Sequence, residues 1–141
     1  MISLQSIDTE MPEIDLAAAK EWLCEIAKSH GKTVGELYYL FCSDEYLYQM
    51  NIEKLNHDFY TDIITFPLNE CGNILSGEFY ISVDRIRENA ATFSKTYKDE
   101  LHRVMAHGLL HLIGFKDKTD EEALAMRGQE EKSLQMRRYV F

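Results

Sequence analysis

Two histidines and one aspartate in the last third of the chain have the types and the spacing of a metal site. His107 and His111 are four residues apart, and Asp117 follows six residues later. Residues four apart on a helix project from one face, so the two imidazoles can hold one divalent ion. Gly114 is expected to end that helix and to swing the following residues back across its end. Two histidines and one carboxylate leave a fourth position for water, as catalytic zinc sites do.

The same residues also allow a structural interpretation. The chain has five histidines, and a pair four apart can arise by chance, so both rings could instead lie at the surface or core edge with backbone partners. The glycine and the acid that follow favour a metal site. The residue after the first histidine is Gly108, whereas helix-borne zinc proteases have a glutamate base there. A peptidase mechanism of that kind therefore lacks its base.

The composition favours one cytoplasmic domain over residues 1–141. The formal net charge of −9 argues mildly against a nucleic-acid partner, although a local groove or a bound cation can reverse the local field. Three widely spaced cysteines, Cys24, Cys42 and Cys71, indicate small buried residues rather than a disulfide framework. Neither a leader-like segment nor an apolar stretch of membrane-spanning length is recognisable, so no membrane partner is expected.

Hydrophobic patterns predict strands in the first half of the chain and helices in the second, which is typical of an α+β fold. Strands are expected over 2–7, 36–42, 61–68 and 78–83, the last two as a possible antiparallel pair. Helices are expected over 16–30, 44–55, 84–97, 98–113 and 119–138, and a turn over 69–77. The last helix is expected to be an amphipathic surface helix around Leu124, Met126 and Leu134.

Three motifs in this chain resemble the YbeY family of bacterial endoribonucleases. Residues 107–115, His-Gly-Leu-Leu-His-Leu-Ile-Gly-Phe, are similar to the family signature His-Gly-x-Leu-His-Leu-x-Gly followed by an aromatic residue. Residues 61–67, Thr-Asp-Ile-Ile-Thr-Phe-Pro, and 76–82, Ser-Gly-Glu-Phe-Tyr-Ile-Ser, resemble two strands of the family. The three motifs occur in the family's order and with its gaps, so together they are far more specific than the histidine pair.

The resemblance implies a fold and a function. The fold would be α+β, with a small mixed four-stranded sheet packed with about five helices and the metal-ligand helix in the C-terminal half. His107, His111 and Asp117 would bind one Zn²⁺ per chain, another divalent ion being possible, for cleavage of single-stranded RNA. The implied role is 16S ribosomal RNA 3′-end maturation and ribosome quality control, with the small ribosomal subunit as partner and no DNA. The alternative is a ribosome-associated metal-binding factor with little or no nuclease activity.

The chain departs from the family pattern at two positions. Asp117 stands where the family has a third histidine; carboxylate oxygen is an accepted zinc ligand and widens tolerance for harder ions such as Mn²⁺. Leu55 stands where the family has an arginine thought to face the phosphate. Lys54, His57 or Arg103 could take that role, and the sequence does not decide among them.

Three further residues are candidates for roles around the metal. His57 is expected to be catalytic together with His107 and His111, as a general base or a phosphate donor, although a loop residue near a helix end explains it equally. Asp62 could orient a ligand imidazole or cap a turn. His102 lies off the ligand face of its helix and is expected to be structural.

Overall fold

The computed structural model describes residues 1–69 and 72–141, which form a four-stranded sheet and five helices. This confirms the expected α+β fold. In chain order, the elements are β1 (Ile2–Ser6), α1 (Leu16–Ser29), β2 (Thr33–Cys42), α2 (Asp44–Leu55), β3 (Ile63–Pro67), β4 (Ile74–Ser82), α3 (Val83–Thr92), α4 (Tyr97–Ile113) and α5 (Asp120–Gln135). Among the described residues, no helix has both the length and the apolar character that crossing a membrane requires.

The sheet is mixed and has the strand order β1-β2-β4-β3. Strands β1, β2 and β4 are parallel, and β3 pairs with β4 in the antiparallel direction that the sequence suggested. Side chains alternate between faces along each strand, and Tyr39 of β2 stacks on Phe79 of β4 with ring centroids 4.4 Å apart. Helices α1 and α4 contribute to the same buried cluster as this pair. The main core therefore lies between one sheet face and these two helices.

The predicted turn over 69–77 was wrong in its second half, because β4 already begins at Ile74 and pairs there with a longer β2. The run Cys71-Gly72-Asn73 indicated a turn for the whole segment. A Cβ atom at Gly77 would lie 2.9 Å from the Leu112 side chain of α4, so glycine serves here for a close approach between helix and sheet. Cys71 lies outside the described residues.

The third predicted helix, over 84–97, is shorter in the structure because α3 ends at Thr92. Ser94 has a φ of 54°, and the Lys95 amide donates to the carbonyl of Ala90. Thr96 then caps α4 by accepting a hydrogen bond from the Asp99 amide. The separate cap lets α4 leave α3 in a new direction and lie on the sheet.

Gly108 lets α4 approach the sheet closely beside the first histidine. A Cβ atom at this position would lie 2.6 Å from Phe79 Cδ1 and 2.8 Å from Ile63 Cδ1. The residue after His107 therefore faces the core. A glutamate there would clash with the sheet and would not reach the metal cleft, which explains why the protease-type base is absent.

Helix α5 docks on α4 and α1 through its own residues and through the C-terminal segment. Trp22 Nε1 donates to the Ser133 carbonyl at 2.7 Å, and Arg137 Nη1 donates to His102 Nδ1 at 2.7 Å. The Phe141 ring packs against both Trp22 and His102. These contacts confirm that His102 is structural, and they hold α5 in place beside the ligand helix.

We predict that Gly108→Ala destabilises the protein by about 1–3 kcal/mol, because the added methyl group overpacks the contact with Phe79 and Ile63. The matched control is Gly128→Ala in α5, where an added Cβ meets nothing within 4 Å. That control should gain about 0.5–1 kcal/mol through helix propensity. Urea unfolding measures both free energies, and equal stability of Gly108→Ala and wild type would contradict the close approach.

We also predict that acid weakens the fold through His102. Burial, reinforced by repulsion from Arg137, lowers the pKa of His102 to about 4, from about 6.5 in the unfolded chain. The unfolded chain therefore binds the extra proton first, and stability is lost as the pH falls from 6.5 towards 4. Between pH 7 and 4.5 the unfolding free energy of wild type should fall by about 2–3 kcal/mol more than that of His102→Gln. Parallel curves for the two proteins would contradict this.

Candidate metal centre

Three donor atoms from the last turns of α4 and the following loop converge on one point. His107 Nε2 and His111 Nε2 lie 3.0 Å apart. Asp117 Oδ2 lies 3.3 Å from the first nitrogen and 3.4 Å from the second. Gly114 has a φ of 126°, and its amide donates to the carbonyls of Leu110 and His111. The helix therefore ends at this glycine as expected, and the loop returns Asp117 to the imidazoles.

The triangle of donors fits a small divalent ion. Zinc bonds of 2.0–2.1 Å in a tetrahedron give ligand-to-ligand edges of about 3.3–3.4 Å, and the three observed separations lie close to that value. A tetrahedron with three protein donors keeps its fourth corner for another molecule. Within residues 1–69 and 72–141, this is the group of three such side chains that could hold a metal ion.

The ligand side chains are accessible from solvent. The exposed fraction is 17% for His107, 29% for His111 and 40% for Asp117. All three line a cleft of about 590 Å³ that continues along β3 and the loop after α2. A substrate could therefore reach the fourth corner, which a closed structural site would not permit.

Glu130 of α5 holds the first ligand from behind. Its Oε2 lies 2.6 Å from His107 Nδ1, and only 3% of its side chain is exposed. A proton on Nδ1 donated to this carboxylate leaves the Nε2 lone pair directed at the metal position. Burial raises the pKa of Glu130, but the hydrogen bond from His107 and the charge of Arg103 outweigh it and keep the pKa below its usual value. Glu130 is therefore ionised and orients the imidazole.

Arg103 supports this carboxylate and is itself held by a second one. Its Nη1 lies 3.0 Å from Glu130 Oε1, and its Nε and Nη2 donate to both oxygens of Glu100 at 2.9 and 2.7 Å. Glu100 is also buried, with 2% exposed. Burial opposes the charge on Arg103, yet its two carboxylate partners raise its pKa. The chain thus fixes His107 through two successive charged contacts.

The sequence did not predict the role of Glu130. Asp62 was a candidate for the orienting carboxylate or for a turn cap, and its Oδ2 lies 3.7 Å from Arg103 Nη2 and 3.5 Å from Asn89 Nδ2. Helix α5 was expected to be a surface helix, and Leu124 is indeed 75% exposed. However, Met126, Glu130 and Ser133 are buried along one face. Their helical spacing was visible in the sequence, but the charge of Glu130 suggested solvent.

The cleft also shows which residue could replace the arginine of the family pattern. Leu55 lines the cleft and is partly exposed. Of the three substitutes, Lys54, His57 and Arg103, only His57 belongs to the described lining. Arg103 is engaged with Glu100, Glu130 and Asp62 and is not part of the described lining. Lys118, next to Asp117 in sequence, is the other basic side chain of the described cleft lining.

The sheet, the helix that carries both histidines and the three donor side chains define an α+β protein with a candidate metal site open to a cleft. Residues 2–138 match the family model described as Endoribonuclease YbeY. The chain belongs to that family, as its motifs indicated.

Two relatives and one solved structure align with nearly the whole chain. A Cytophaga hutchinsonii protein named Endoribonuclease YbeY is 50% identical over 132 residues, which are 94% of this chain and 92% of that protein. A protein of the same name from Bacteroides thetaiotaomicron is 46% identical over 136 residues, 96% of this chain and 98% of that one. The solution structure of a Thermotoga maritima protein has a TM-score of 0.67 at 28% identity, covering 96% of this chain and 88% of the other.

We predict that Glu130→Gln weakens Zn²⁺ binding about 10- to 100-fold, because an amide holds the His107 ring less firmly in the required tautomer. Glu131→Gln is the matched control, since Glu131 is the exposed neighbour of Glu130 on α5. Competition with a chromophoric chelator measures both affinities. Equal zinc affinities in Glu130→Gln and Glu131→Gln would show that Glu130 does not position the ligand.

Proposed function

We propose that this chain is a metal-dependent endoribonuclease that cleaves single-stranded RNA. The observation that carries the proposal is the triangle formed by His107, His111 and Asp117, open on one side to a cleft of about 590 Å³. Membership of the endoribonuclease YbeY family supports the same reaction. RNA is the substrate class that the names of the relatives imply.

Zn²⁺ is the ion we assign to the site, one per chain, with Mn²⁺ as the alternative that a carboxylate ligand tolerates. Bound there, such an ion supplies Lewis-acid stabilisation of developing negative charge and lowers the pKa of a coordinated water. His107, His111 and Asp117 would hold it. Glu130 keeps the His107 ring in the tautomer that presents Nε2 to the ion.

The chain itself must also supply proton transfer and phosphate contacts. Gly108 carries no side chain and faces the core, so a base has to come from another element. His57 lines the cleft on the loop after α2 and is our candidate for a general base or a phosphate donor. Lys118 lies on the cleft wall near Asp117 and could offset phosphate charge.

We assign 16S ribosomal RNA near its 3′ end as the substrate, with the small ribosomal subunit as partner, in the cytoplasm. A role in ribosome quality control belongs to the same proposal. These finer assignments rest on the family resemblance, whereas the chemistry rests on the donor triangle and the cleft.

A second candidate function is a ribosome-associated metal-binding factor with little or no nuclease activity. Two observations favour it. Leu55 lines the cleft where the family pattern has an arginine, and the chain has a net charge of −9. Both weaken the phosphate contacts that an RNA-cleaving site uses.

The test is cleavage of an unstructured RNA by the Zn²⁺-loaded protein, with an RNA duplex of the same sequence as comparison. We predict cleavage of the single strand, abolished by a chelator and restored by added Zn²⁺. His111→Ala and Asp117→Ala should each lose bound zinc by elemental analysis and at least about 100-fold in rate, more than the loss of a partner such as Glu130 would cost. Asp120→Ala, an exposed acid at the start of α5, is the matched control.

Two results would decide against a metal-dependent nuclease at this site. Cleavage that persists after both chelation and His111→Ala would show that the donor triangle is not its source. A zinc-loaded protein that binds small ribosomal subunits and leaves RNA intact would select the second candidate.

A further inference from the structure

The loop between α2 and β3 presents two aromatic rings to the metal cleft. Helix α2 ends at Leu55, and Asn56 continues with a left-handed φ of 55°. His57 and Phe59 then line the cleft together with the metal ligands. Asp58 and Tyr60, which alternate with them, contact α2 instead. The side chain of Asp58 accepts a hydrogen bond from Tyr48, and Tyr60 stacks on the same tyrosine.

A buried asparagine fixes this arrangement. Asn51 of α2 is only 2% exposed. Its Nδ2 donates to the Phe59 carbonyl at 2.9 Å, and its main-chain carbonyl accepts from the His57 amide at 3.0 Å. Residues 56–62 belong to no helix or strand, yet the backbone is hydrogen-bonded at both positions whose side chains face the cleft. The backbone that carries the two rings is therefore held in place.

The two rings leave a flat apolar surface open. Their centroids are 5.2 Å apart and their planes differ by 20°, so they lie nearly parallel and offset. Phe59 is 53% exposed, and His57 is also exposed. A phenylalanine held half in water, beside metal ligands and by a buried polar clamp, contributes little to the core. Such a ring suits another flat π system, and every nucleic-acid base offers one.

The charge of the cleft favours stacking over phosphate contact. Lys118 and His57 are the basic side chains of its described lining, against the carboxylates of Asp62 and Asp117. A protein that makes few phosphate contacts gains little from counterion release. Base stacking does not depend on net charge, and only unpaired bases have a free face. The cleft therefore has the means to hold a single strand and little with which to hold a duplex.

We propose that Phe59, backed by His57, is the stacking platform for one base of the single-stranded RNA substrate next to the metal centre. The inference rests on the proposed function. It names the contact by which the enzyme would prefer single-stranded RNA. Phe59 is on this proposal a substrate-positioning residue, and Asn51 places it.

The first test is RNA affinity. A short fluorescent single-stranded RNA is titrated with the zinc-loaded protein, and the RNA is then checked to be intact. Phe59→Ala should bind about 5- to 100-fold more weakly, and Phe59→Trp should bind at least as tightly as wild type. The matched control is Phe93→Ala, because Phe93 is equally exposed, at 54%, but lines a different cavity. It should bind as wild type does.

The second test identifies the contact itself. Each nucleotide of the RNA is replaced in turn by an abasic one. At the base that stacks on Phe59, the replacement should weaken binding to wild type as much as Phe59→Ala does, and should have no further effect in Phe59→Ala. In Phe59→Trp, the intact RNA should quench the new tryptophan, and the abasic RNA should not.

The outcomes separate this inference from the proposed function. If wild type binds and cleaves RNA but Phe59→Ala binds equally well, the platform is wrong and the nuclease stands. Abasic effects that are additive with Phe59→Ala at every position overturn the platform in the same way. If zinc-loaded wild type neither binds nor cleaves RNA, the proposed function itself fails and the platform fails with it.

Discussion

The buried carboxylate of Glu130 is the interaction on which the metal centre depends. A buried charge is costly unless it is paired and hydrogen-bonded. Both oxygens of Glu130 are engaged, one by His107 and the other by Arg103. Displacing α5 from α4 would separate Glu130 from both of its partners, because His107 and Arg103 lie on α4. The same contacts therefore orient the His107 ring and pack α5 on α4. As long as the two helices stay packed, the orientation of His107 is kept.

The three ligands are held with unequal firmness as a result. His107 is fixed by the helix, by Glu130 and indirectly by Arg103. Among the described contacts, His111 has no carboxylate behind it and follows the direction of α4 alone. Asp117 reaches the site through the turn at Gly114 and is the most exposed of the three. The most exposed of the three candidate ligands therefore lies on the solvent side, and the one with the most contacts lies against the core.

Short sequence patterns predicted the features of the site that depend on neighbouring residues in the chain. The four-residue spacing of His107 and His111, with Gly114 after them, was enough to find the ligand helix and its end. Long-range contacts decided what those patterns missed. The predicted turn extended as far as Gly77, because the contact that requires a glycine there is with Leu112, 35 positions later in the sequence. Glu130 looked solvated because its partners belong to another helix, and periodicity carries no information about which charge meets an opposite one.

The acidic composition and an RNA substrate conflict less than the net charge suggests. Glu100 and Glu130 are buried and share the guanidinium of Arg103, which offsets one of their two negative charges locally. A divalent ion would add positive charge at the one point where a phosphate must approach. Elsewhere the acidic surface repels nucleic acid, which suppresses non-specific binding along RNA backbones. Recognition is then left to contacts that read exposed bases. Leu55 in the place of the family's arginine and an exposed aromatic ring at Phe59 fit that division, in which the ion would contact the phosphate and the ring would contact the base.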